Sequence, residues 1–434
     1  MAGAQLGESS AGDASAQRLS DADRARGRRL AIVSHPAGNA FAMALSEHLP
    51  TLALLALGAS ESVVGGQSAI KTGANLLQLP TLRRVARIPK RKILTWGHLL
   101  AVGGMLPLLA FTPLREAAEA GDPRPAWIAL ASLAVASAGI SISNTVWFPM
   151  LRAYVDPARI GRFFGLLRSG WHSTLILFYL GAAFWLSRAP GDFAPLFGAV
   201  FALGVVRFLL IARMPEQSEL TGQGIRVREA FKLIQDSPRL RRLLMTVSSG
   251  QALRASVLPF ALVMLRREVG FSEAQLLTTT IANFAGGLVS LYFWGRVIDR
   301  RGAAIVFRGT SIGMGLLTLS LIAVSGSGDS AFLGAMLFFF CYAILAAGFG
   351  MADTHVLFKL TPVESPARIL VAAAVSVGMV AAVVPLLVGF SLELGLETTS
   401  DRRLVYHVFF AIAALIQGVH WWPTRGFGPE RSSE

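Results

Sequence analysis

Cysteine is almost absent from this chain, because its 434 residues contain only one, Cys341, which lies inside an apolar run. A single cysteine excludes an intrachain disulfide framework and a metal site built from several thiolates. The phosphate-binding pattern G-x-x-x-x-G-K-S/T is also missing, so the sequence gives no support to transport driven by ATP. We expect no cofactor.

Charged residues are scarce as well. They make up 15% of the chain, whereas a soluble domain usually has about 25%. With so few charges the chain cannot cover a water-facing surface of normal size. The hydrophobic fraction of 53% is also far too high for intrinsic disorder. The composition therefore predicts a polytopic membrane protein that is all-α.

Basic residues outnumber acidic ones, which gives a formal net charge of +14. A nucleic-acid-binding protein would gather such charge on one face of a soluble scaffold. Here the basic residues form short bursts between apolar stretches, as expected of loops that face anionic lipid headgroups. We therefore expect the lipid bilayer and a small molecule as partners, and no nucleic acid.

Apolar stretches long enough to cross about 30 Å of hydrocarbon as helices recur along the chain. With the N-terminus inside, the predicted inner loops hold 21 Lys and Arg residues and the outer loops hold 7. This asymmetry predicts a multi-pass protein of the cell (inner) membrane with both termini in the cytoplasm. We predict twelve spans, at residues 38–57, 62–82, 93–114, 126–148, 164–186, 194–211, 243–265, 274–294, 304–324, 332–355, 369–390 and 405–421.

The chain also repeats itself. The sequence Pro-Ala-Arg-Ile occurs at 157–160, after the fourth span, and again at 366–369, after the tenth. A duplication of this kind predicts two parallel six-helix repeats around a cavity at the membrane midplane. The predicted units are a disordered cytoplasmic tail over 1–36, six-helix bundles over 37–213 and 243–422, a central cytoplasmic loop over 214–242, and a second cytoplasmic tail over 423–434.

The loop between the eighth and ninth spans carries a motif, in which Gly295, Asp299, Arg300 and Gly302 have the spacing G-x-x-x-D-R-x-G. The glycines let helix ends approach closely, and the charged pair can interact with helix termini or headgroups. This loop resembles the signature of the major facilitator superfamily (MFS). The resemblance implies two pseudo-symmetric six-helix bundles, secondary transport by alternating access and a monomer. A membrane enzyme is the competing class, but the sequence has no D-x-x-x-D pair, His box or activated Ser or Cys, so we expect no enzymatic activity.

The first half departs from that signature. At the equivalent spacing after Leu82, Ala86 stands in place of the aspartate and Pro89 in place of the second glycine. A gating scheme that needs the first-half carboxylate is therefore in doubt. The alternative is an MFS-like protein that no longer transports and acts as a receptor or assembly factor.

Seven charged residues fall inside the predicted spans, where a charge costs about 2.5–3.5 kcal/mol at the bilayer centre. Arg168, Arg207 and Arg308 lie near the predicted inner ends, from which they can reach the headgroups. The remaining four are Glu47, Lys71, Arg254 and Asp353. Glu47, Lys71 and Arg254 lie about 14–16 Å from a span end.

The repeat offset relates several of these positions. Adding 207 to Glu47 gives Arg254, and adding 209 to Asn144 gives Asp353. In the family that this chain resembles, the first and seventh helices face each other across the cavity. The resemblance thus implies that these four residues converge on a central polar site. The structural alternative is an ion pair, such as Glu47 with Lys71, that only holds helices together.

Two further residues complete the predicted cavity. His48 adjoins Glu47, and a histidine beside a carboxylate can titrate near neutral pH, which suits proton coupling. Trp147 on the fourth span can stack on a substrate, although a packing or interfacial role is the competing interpretation. We expect a proton-coupled transporter, with Arg254 favouring an anionic or zwitterionic solute. Efflux of a drug or another amphiphile by a member of the same superfamily is the alternative.

Overall fold

A computed structural model describes residues 19–85, 87–155, 160–216, 227–324, 328–360 and 366–425, and these are helices joined by short turns. Helices α1 to α10 belong to the first half, α11 connects the halves, and α12 to α17 belong to the second half. Their bounds are α1 Asp21–Ala44, α2 His48–Ala56, α3 Glu61–Gly73, α4 Gln78–Val85, α5 Lys90–Gly104, α6 Leu106–Leu109, α7 Phe111–Glu119, α8 Arg124–Tyr154, α9 Ile160–Arg188, α10 Ala194–Ile211, α11 Val227–Asp236, α12 Pro238–Met264, α13 Glu273–Arg301, α14 Ala303–Ser320, α15 Asp329–Leu360, α16 Pro366–Thr398 and α17 Arg402–Val419.

The twelve predicted spans lie largely on helix, but fewer than twelve of the described helical segments qualify as membrane spans. Eight helical segments, on α5–α6, α8, α10, α12, α14, α15, α16 and α17, are long and apolar enough to cross a membrane. Helix α13 qualifies as a ninth if its 44° bend lies within one span. Large apolar side chains such as Leu177 and Leu415 are exposed on the outside of the bundle, as expected for a protein surrounded by lipid. The chain is an integral multi-pass membrane protein.

The prediction of a disordered tail over residues 1–36 is wrong for residues 21–36, which belong to α1. Ser20 caps this helix, because its hydroxyl accepts a hydrogen bond from the backbone N–H of Asp23. Gly27 lies against the ring of Tyr154, and Arg28 donates to the Tyr154 carbonyl at 3.4 Å. The helix is therefore held by tertiary contacts, which composition alone does not reveal. Residues 1–18 lie outside the described residues.

The central loop predicted over 214–242 is also partly helical. It contains α11, and α12 begins at Pro238, five residues before the predicted span. The first copy of the Pro-Ala-Arg repeat, at 157–159, lies outside the described residues. The last short turn, Trp422–Thr424, continues into the predicted C-terminal tail, and residues 426–434 are again outside the described part.

The first predicted span is broken. Helix α1 ends at Ala44, and α2 begins at His48 with Glu47 as its N-cap residue. Pro50 accounts for the break, since proline has no N–H to bond the carbonyl four residues earlier and is tolerated only in a first helical turn. A charged residue thus lies at a helix interruption inside the first predicted span, an arrangement that transporters use for binding sites.

Glycine pairs within the spans mark the helix crossings. In each of two adjacent pairs, one glycine lies at a crossing and the other faces open space. A Cβ at Gly104 would lie 2.7 Å from the backbone of Ala136, and one at Gly286 would collide with the carbonyl oxygen of Phe340. The partners Gly103 and Gly287 have no atom within 4 Å of such a Cβ. Small residues therefore let α5 approach α8 and α13 approach α15.

This difference gives a prediction with a built-in control. Gly286→Ala is expected to destabilise the protein by about 1–3 kcal/mol, because the methyl group forces α13 away from α15. Gly287→Ala adds the same methyl group where nothing opposes it, and helix propensity favours alanine by about 1 kcal/mol. Melting temperatures of the two purified variants provide the test. Equal destabilisation by both would contradict the packing argument.

The two halves meet along two main contacts, α3 with α16 and α9 with α13. Helix α12 also packs against α2 and α3. The interrupted helix pair α1–α2 therefore reaches the boundary between the halves, and the charge at its break faces α12. This arrangement positions the site described next.

Candidate functional site

A polar cavity of about 160 Å³ lies between α2 and α3 of the first half and α12 of the second. We call it the central cavity. Most of the residues that line it are polar, which is unusual for the interior of a membrane protein. The lining residues are Ser46, Glu47, His48, Thr51, Gln67, Ser68, Lys71, Thr72, Gln251, Arg254, Ala255, Leu258 and Pro259.

Three of these residues carry charge. The Lys71 ammonium group donates to Glu47 Oε1 at 2.9 Å, and the Glu47 side chain is only 12% exposed. Arg254 lines the same cavity from the second half. Among the described residues it has no ion pair within 4.0 Å and no hydrogen bond. The pair of Glu47 and Lys71 is therefore neutral overall, and Arg254 adds a further positive charge that acts on Glu47 through space.

His48 links the two halves. Its Nδ1 lies 2.7 Å from the hydroxyl of Thr280 on α13, and its ring packs edge-on against Phe339 on α15. The other ring nitrogen, Nε2, is buried and has no hydrogen-bond partner in the described part of the chain. The histidine is thus placed beside Glu47 but bonds across the boundary between the halves.

A second cavity, of about 190 Å³, lies within the first half, and we call it the Arg207 cavity. Ser46 and Lys71 line both cavities, so the two adjoin at these residues. Asn144 lies here and not in the central cavity. The full lining is Gly38, Asn39, Phe41, Ala42, Met43, Ser46, Lys71, Ala74, Asn75, His98, Ser137, Ile140, Ser141, Ser143, Asn144 and Arg207.

The prediction that Arg207 reaches the headgroups is wrong. The residue is 5% exposed, and its guanidinium lies over the ring of Trp147, 4.8 Å from the ring centroid. Gly38 on α1 leaves the space for it, because a Cβ there would collide with the guanidinium. The missing side chain at Gly38 lets the arginine turn inward. That relation between α1 and α10 cannot be read from a position near a helix end.

Several hydrogen bonds between the halves lie at one face of the bundle. At this face α3 begins, and the helical turn Leu265–Val269 that follows α12 ends. We call this the far face. Glu61 Oε1 accepts from Arg267 at 2.6 Å and from the Tyr406 hydroxyl at 2.6 Å. The backbone N–H of Ser62 donates to Glu393 at 3.2 Å, and that of Gly191 donates to Glu273 at 2.7 Å. These bonds close the far face.

The sequence model described as Major Facilitator Superfamily matches residues 30–385, which is most of the chain. The chain belongs to the Major Facilitator Superfamily. It is therefore a membrane transporter of small molecules and not an enzyme. Comparison with curated protein sequences found no match.

Solved structures of other transporters share this fold. The D323A mutant of the nucleoside transporter NupG matches with a TM-score of 0.68 at 14% identity, covering 93% of this chain and 100% of that one. A D-xylose-proton symporter matches with a TM-score of 0.62 at 16% identity, covering 95% of this chain and 98% of that one.

A third matching transporter was solved in two conformations. A bacterial homologue of the iron transporter ferroportin in its inward-facing state has a TM-score of 0.68 at 16% identity, with coverage of 93% of this chain and 99% of that one. An outward-facing structure with the same description has a TM-score of 0.57 at 19% identity, covering 93% of this chain and all of that one.

The signature loop of this MFS chain lies at the end of α13. Asp299 and Arg300 are exposed, and in the described residues Asp299 has no ion pair. Gly302 separates α13 from α14 with a φ of 79°, a value that favours glycine, and its N–H donates to the carbonyl of Ile298 at 2.9 Å. Gly295 lies about two turns before Gly302, on α13. The backbone conformation at the turn therefore explains why a glycine occupies position 302.

Two predicted site residues lie away from the central cavity. Trp147 is 3% exposed and stacks on His35, with ring centroids 5.7 Å apart, so it packs within the first half and supports Arg207. Asp353 lies on α15, is half-buried, and lines neither of the two cavities. The structure therefore brings together Glu47, Lys71, His48 and Arg254 but not all four residues related by the repeat offset.

Sequence reasoning missed part of the lining of the central cavity. Gln67 and Lys71 are four residues apart on α3, and so are Ser68 and Thr72. This spacing puts all four on one face of a helix, a signal that was available in the sequence. The bonds of Glu61 to Arg267 and Tyr406 had no comparable signal, because those residues are more than 200 positions away in the chain.

Proposed function

We propose that this MFS transporter carries a small anionic or zwitterionic solute by alternating access, coupled to protons. The observation that carries the proposal is the unpaired Arg254 in a buried cavity between the halves, beside the pair of Glu47 and Lys71. Arg254 is half-buried, and a partly buried cation attracts an anion more strongly than a fully exposed one does. The lining polar groups offer hydrogen bonds for the rest of the solute.

Proton coupling follows from competition for Lys71. While Glu47 is ionised it holds the Lys71 ammonium group at 2.9 Å. Protonation of Glu47 weakens this ion pair and frees Lys71 to join Arg254 in binding the anionic group. Solute and proton then bind together, so the gradient of one drives the other. His48, which bonds to Thr280 across the boundary, transmits the change at Glu47 to the second half.

Alternating access requires the two halves to separate at one face while they close at the other. The hydrogen bonds of Glu61, Ser62 and Gly191 to the second half support a closed far face in this conformation. With both termini in the cytoplasm, as the distribution of basic residues predicts, the cavity is reached from the cytoplasm. The protein works as a monomer in the cell membrane, because each chain contains both halves of the cavity.

A melting-temperature screen of the purified protein tests the solute class. Matched sets of carboxylates, phosphate esters, amino acids, organic cations and uncharged amphiphiles are compared at equal concentration. We expect the anionic and zwitterionic sets to raise the melting temperature, since a ligand that binds only the folded state stabilises it. Stabilisation by cations or uncharged amphiphiles alone would instead favour efflux of amphiphiles. Binding without flux in proteoliposomes would favour a receptor.

Glu47→Gln is expected to separate binding from coupling. The neutral side chain mimics a permanently protonated Glu47, so the anion still binds and exchanges across the membrane. A pH gradient no longer drives accumulation, which should fall to the level without a gradient. The measurement is gradient-driven uptake beside solute exchange in proteoliposomes, with a hit from the screen.

Glu119→Gln is the matched control for this experiment. Glu119 also pairs with a cation, Arg115, at 2.8 Å, but the carboxylate is 60% exposed and far along the chain from the cavity lining. Full gradient-driven uptake by Glu47→Gln would remove Glu47 from the coupling mechanism.

A further inference from the structure

The Arg207 cavity contains a buried cation without a counter-ion. Arg207 is 5% exposed, and its Nε is sealed from solvent with no hydrogen-bond partner in the described part of the chain. Among the described residues that line this cavity there is no aspartate or glutamate. The ring of Trp147 at 4.8 Å is the only partner the structure assigns to its guanidinium among the described residues. A desolvated cation–π contact stabilises the protein by about 2 kcal/mol. This is less than the several kcal/mol that burying an ion costs.

Other polar groups of the same cavity also lack a hydrogen-bond partner or are free to bind a ligand. The hydroxyl of Ser141 is buried and has no partner within the described residues. Asn144 is exposed to the cavity. His98 is 2% exposed and is held in place by a contact of its Nε2 with the carbonyl of Gly204 at 2.9 Å. Buried polar groups in proteins normally have partners, and a group of them around an open volume indicates a ligand.

We propose that the Arg207 cavity is a second anion subsite, and that the transporter selects solutes with two anionic groups. One group binds at Arg254 and Lys71 in the central cavity, and the other binds at Arg207 with Asn144 and Ser141. The two cavities adjoin at Ser46 and Lys71, which line both. This inference rests on the proposed function, since it adds a second subsite to the first.

The charge balance supports the same conclusion. The two cavities together are lined by one carboxylate, that of Glu47, and by three cations, Lys71, Arg254 and Arg207. While Glu47 is ionised it neutralises Lys71, so Arg254 and Arg207 remain for the solute. When Glu47 is protonated, Lys71 joins Arg254 at the first anionic group, and Arg207 still requires a second one. A solute with one negative charge would leave one buried cation unpaired, and a dianion pairs both. Discrimination between the two arises from the unpaired buried charge that the monoanion leaves behind.

The test compares monocarboxylates with dicarboxylates of three to six carbons, in a neutral detergent without added lipid. For the wild-type protein, we expect dicarboxylates to bind at least tenfold more tightly than monocarboxylates of equal length, measured from melting temperatures. In Arg207→Met the dicarboxylate affinity should fall to the monocarboxylate level, while monocarboxylate binding is unchanged. Arg254→Gln should weaken both sets.

A second readout does not depend on the choice of solute. Without ligand, Arg207→Met is expected to melt at a higher temperature than the wild type, because it removes an unpaired buried charge and leaves an apolar side chain of similar length. A purely structural arginine, held by Trp147, would give a lower melting temperature. Arg308→Met is the matched control, because this arginine also lies over a tryptophan, Trp421, at 5.4 Å but is exposed and lines neither cavity.

The outcomes separate the two proposals. Unchanged dicarboxylate affinity in Arg207→Met, or a lower melting temperature without ligand, overturns the second subsite and leaves the central site intact. The second subsite is also overturned if the wild-type protein binds dicarboxylates no more tightly than monocarboxylates, while Arg254 is still needed for binding. If neither set binds and Arg254→Gln changes nothing, the proposed function itself fails.

Discussion

Arg254→Gln is expected to lower the uptake of an anionic solute roughly a hundredfold, which corresponds to about 3 kcal/mol of lost binding energy. The expectation follows from the position of the guanidinium in the cavity between the halves, where it forms no ion pair within 4.0 Å among the described residues. Glutamine keeps a hydrogen-bond donor but removes the charge. The loss should therefore affect affinity, seen as a raised half-saturation concentration in proteoliposome uptake.

Two variants define this effect. Arg254→Lys keeps the charge and should retain part of the uptake, although lysine cannot bind a carboxylate with two parallel hydrogen bonds. Arg308→Gln removes an arginine that is exposed and lines neither described cavity, and it should leave uptake unchanged. Wild-type uptake by Arg254→Gln would exclude the central cavity as the anion site.

Glu61→Gln is expected to release the closed far face. The Glu61 carboxylate, 5% exposed, accepts from Arg267 and Tyr406 of the second half, both at 2.6 Å. Breaking a buried pair of this kind costs about 3 kcal/mol or more, because one charge loses its partner. The ratio of closed to open forms should then fall roughly a hundredfold. The Arg267 side chain is 27% exposed, so water offsets part of this effect.

The measurement is the distance between spin labels at the far face of each half. Suitable positions are Ala120, after α7, and Ser400, before α17, which are both exposed. Cys341 is first replaced by serine so that only the two new cysteines carry labels. We expect a longer distance to become populated in Glu61→Gln, whereas the wild type gives mainly the short one.

The control is Glu268→Gln. Glu268 pairs with Arg402 at 3.0 Å on the same face, but both residues belong to the second half. Loss of that pair should leave the distance distribution unchanged, since it does not join the halves. If Glu268→Gln and Glu61→Gln change the distances equally, the bonds between the halves are not what holds this face closed.

Several features of the site follow from the sequence. The cost of a charge at the bilayer centre singled out Glu47, Lys71 and Arg254, and the structure places all three around one cavity. The sequence left open whether Glu47 and Lys71 line a cavity or form a structural ion pair. In the structure they do both, because they are paired and they also line the cavity. Their role in transport stays a proposal.

Other features depend on which helices pack together. Asp353 maps onto Asn144 by the repeat offset, yet only Asn144 lines one of the two cavities. Sequence offset gives depth in the membrane but not the rotation of a helix about its axis, and that rotation decides which side chains face inward. Arg207 shows the same limit, because it turns inward where Gly38 of another helix leaves space.

The sequence by itself determined the membrane-spanning class, the helical character of the apolar stretches and the family, because these depend on hydropathy and on local motifs. Hydrophobic length is a local property, and the predicted spans lie largely on helix. Only the tertiary structure decided that α1 extends back to Asp21, that the far face is closed, and that Arg207 lines a second cavity. These features arise from contacts between residues that are distant in the chain. The energy of such contacts depends on how the helices pack together, which the sequence of one segment does not determine.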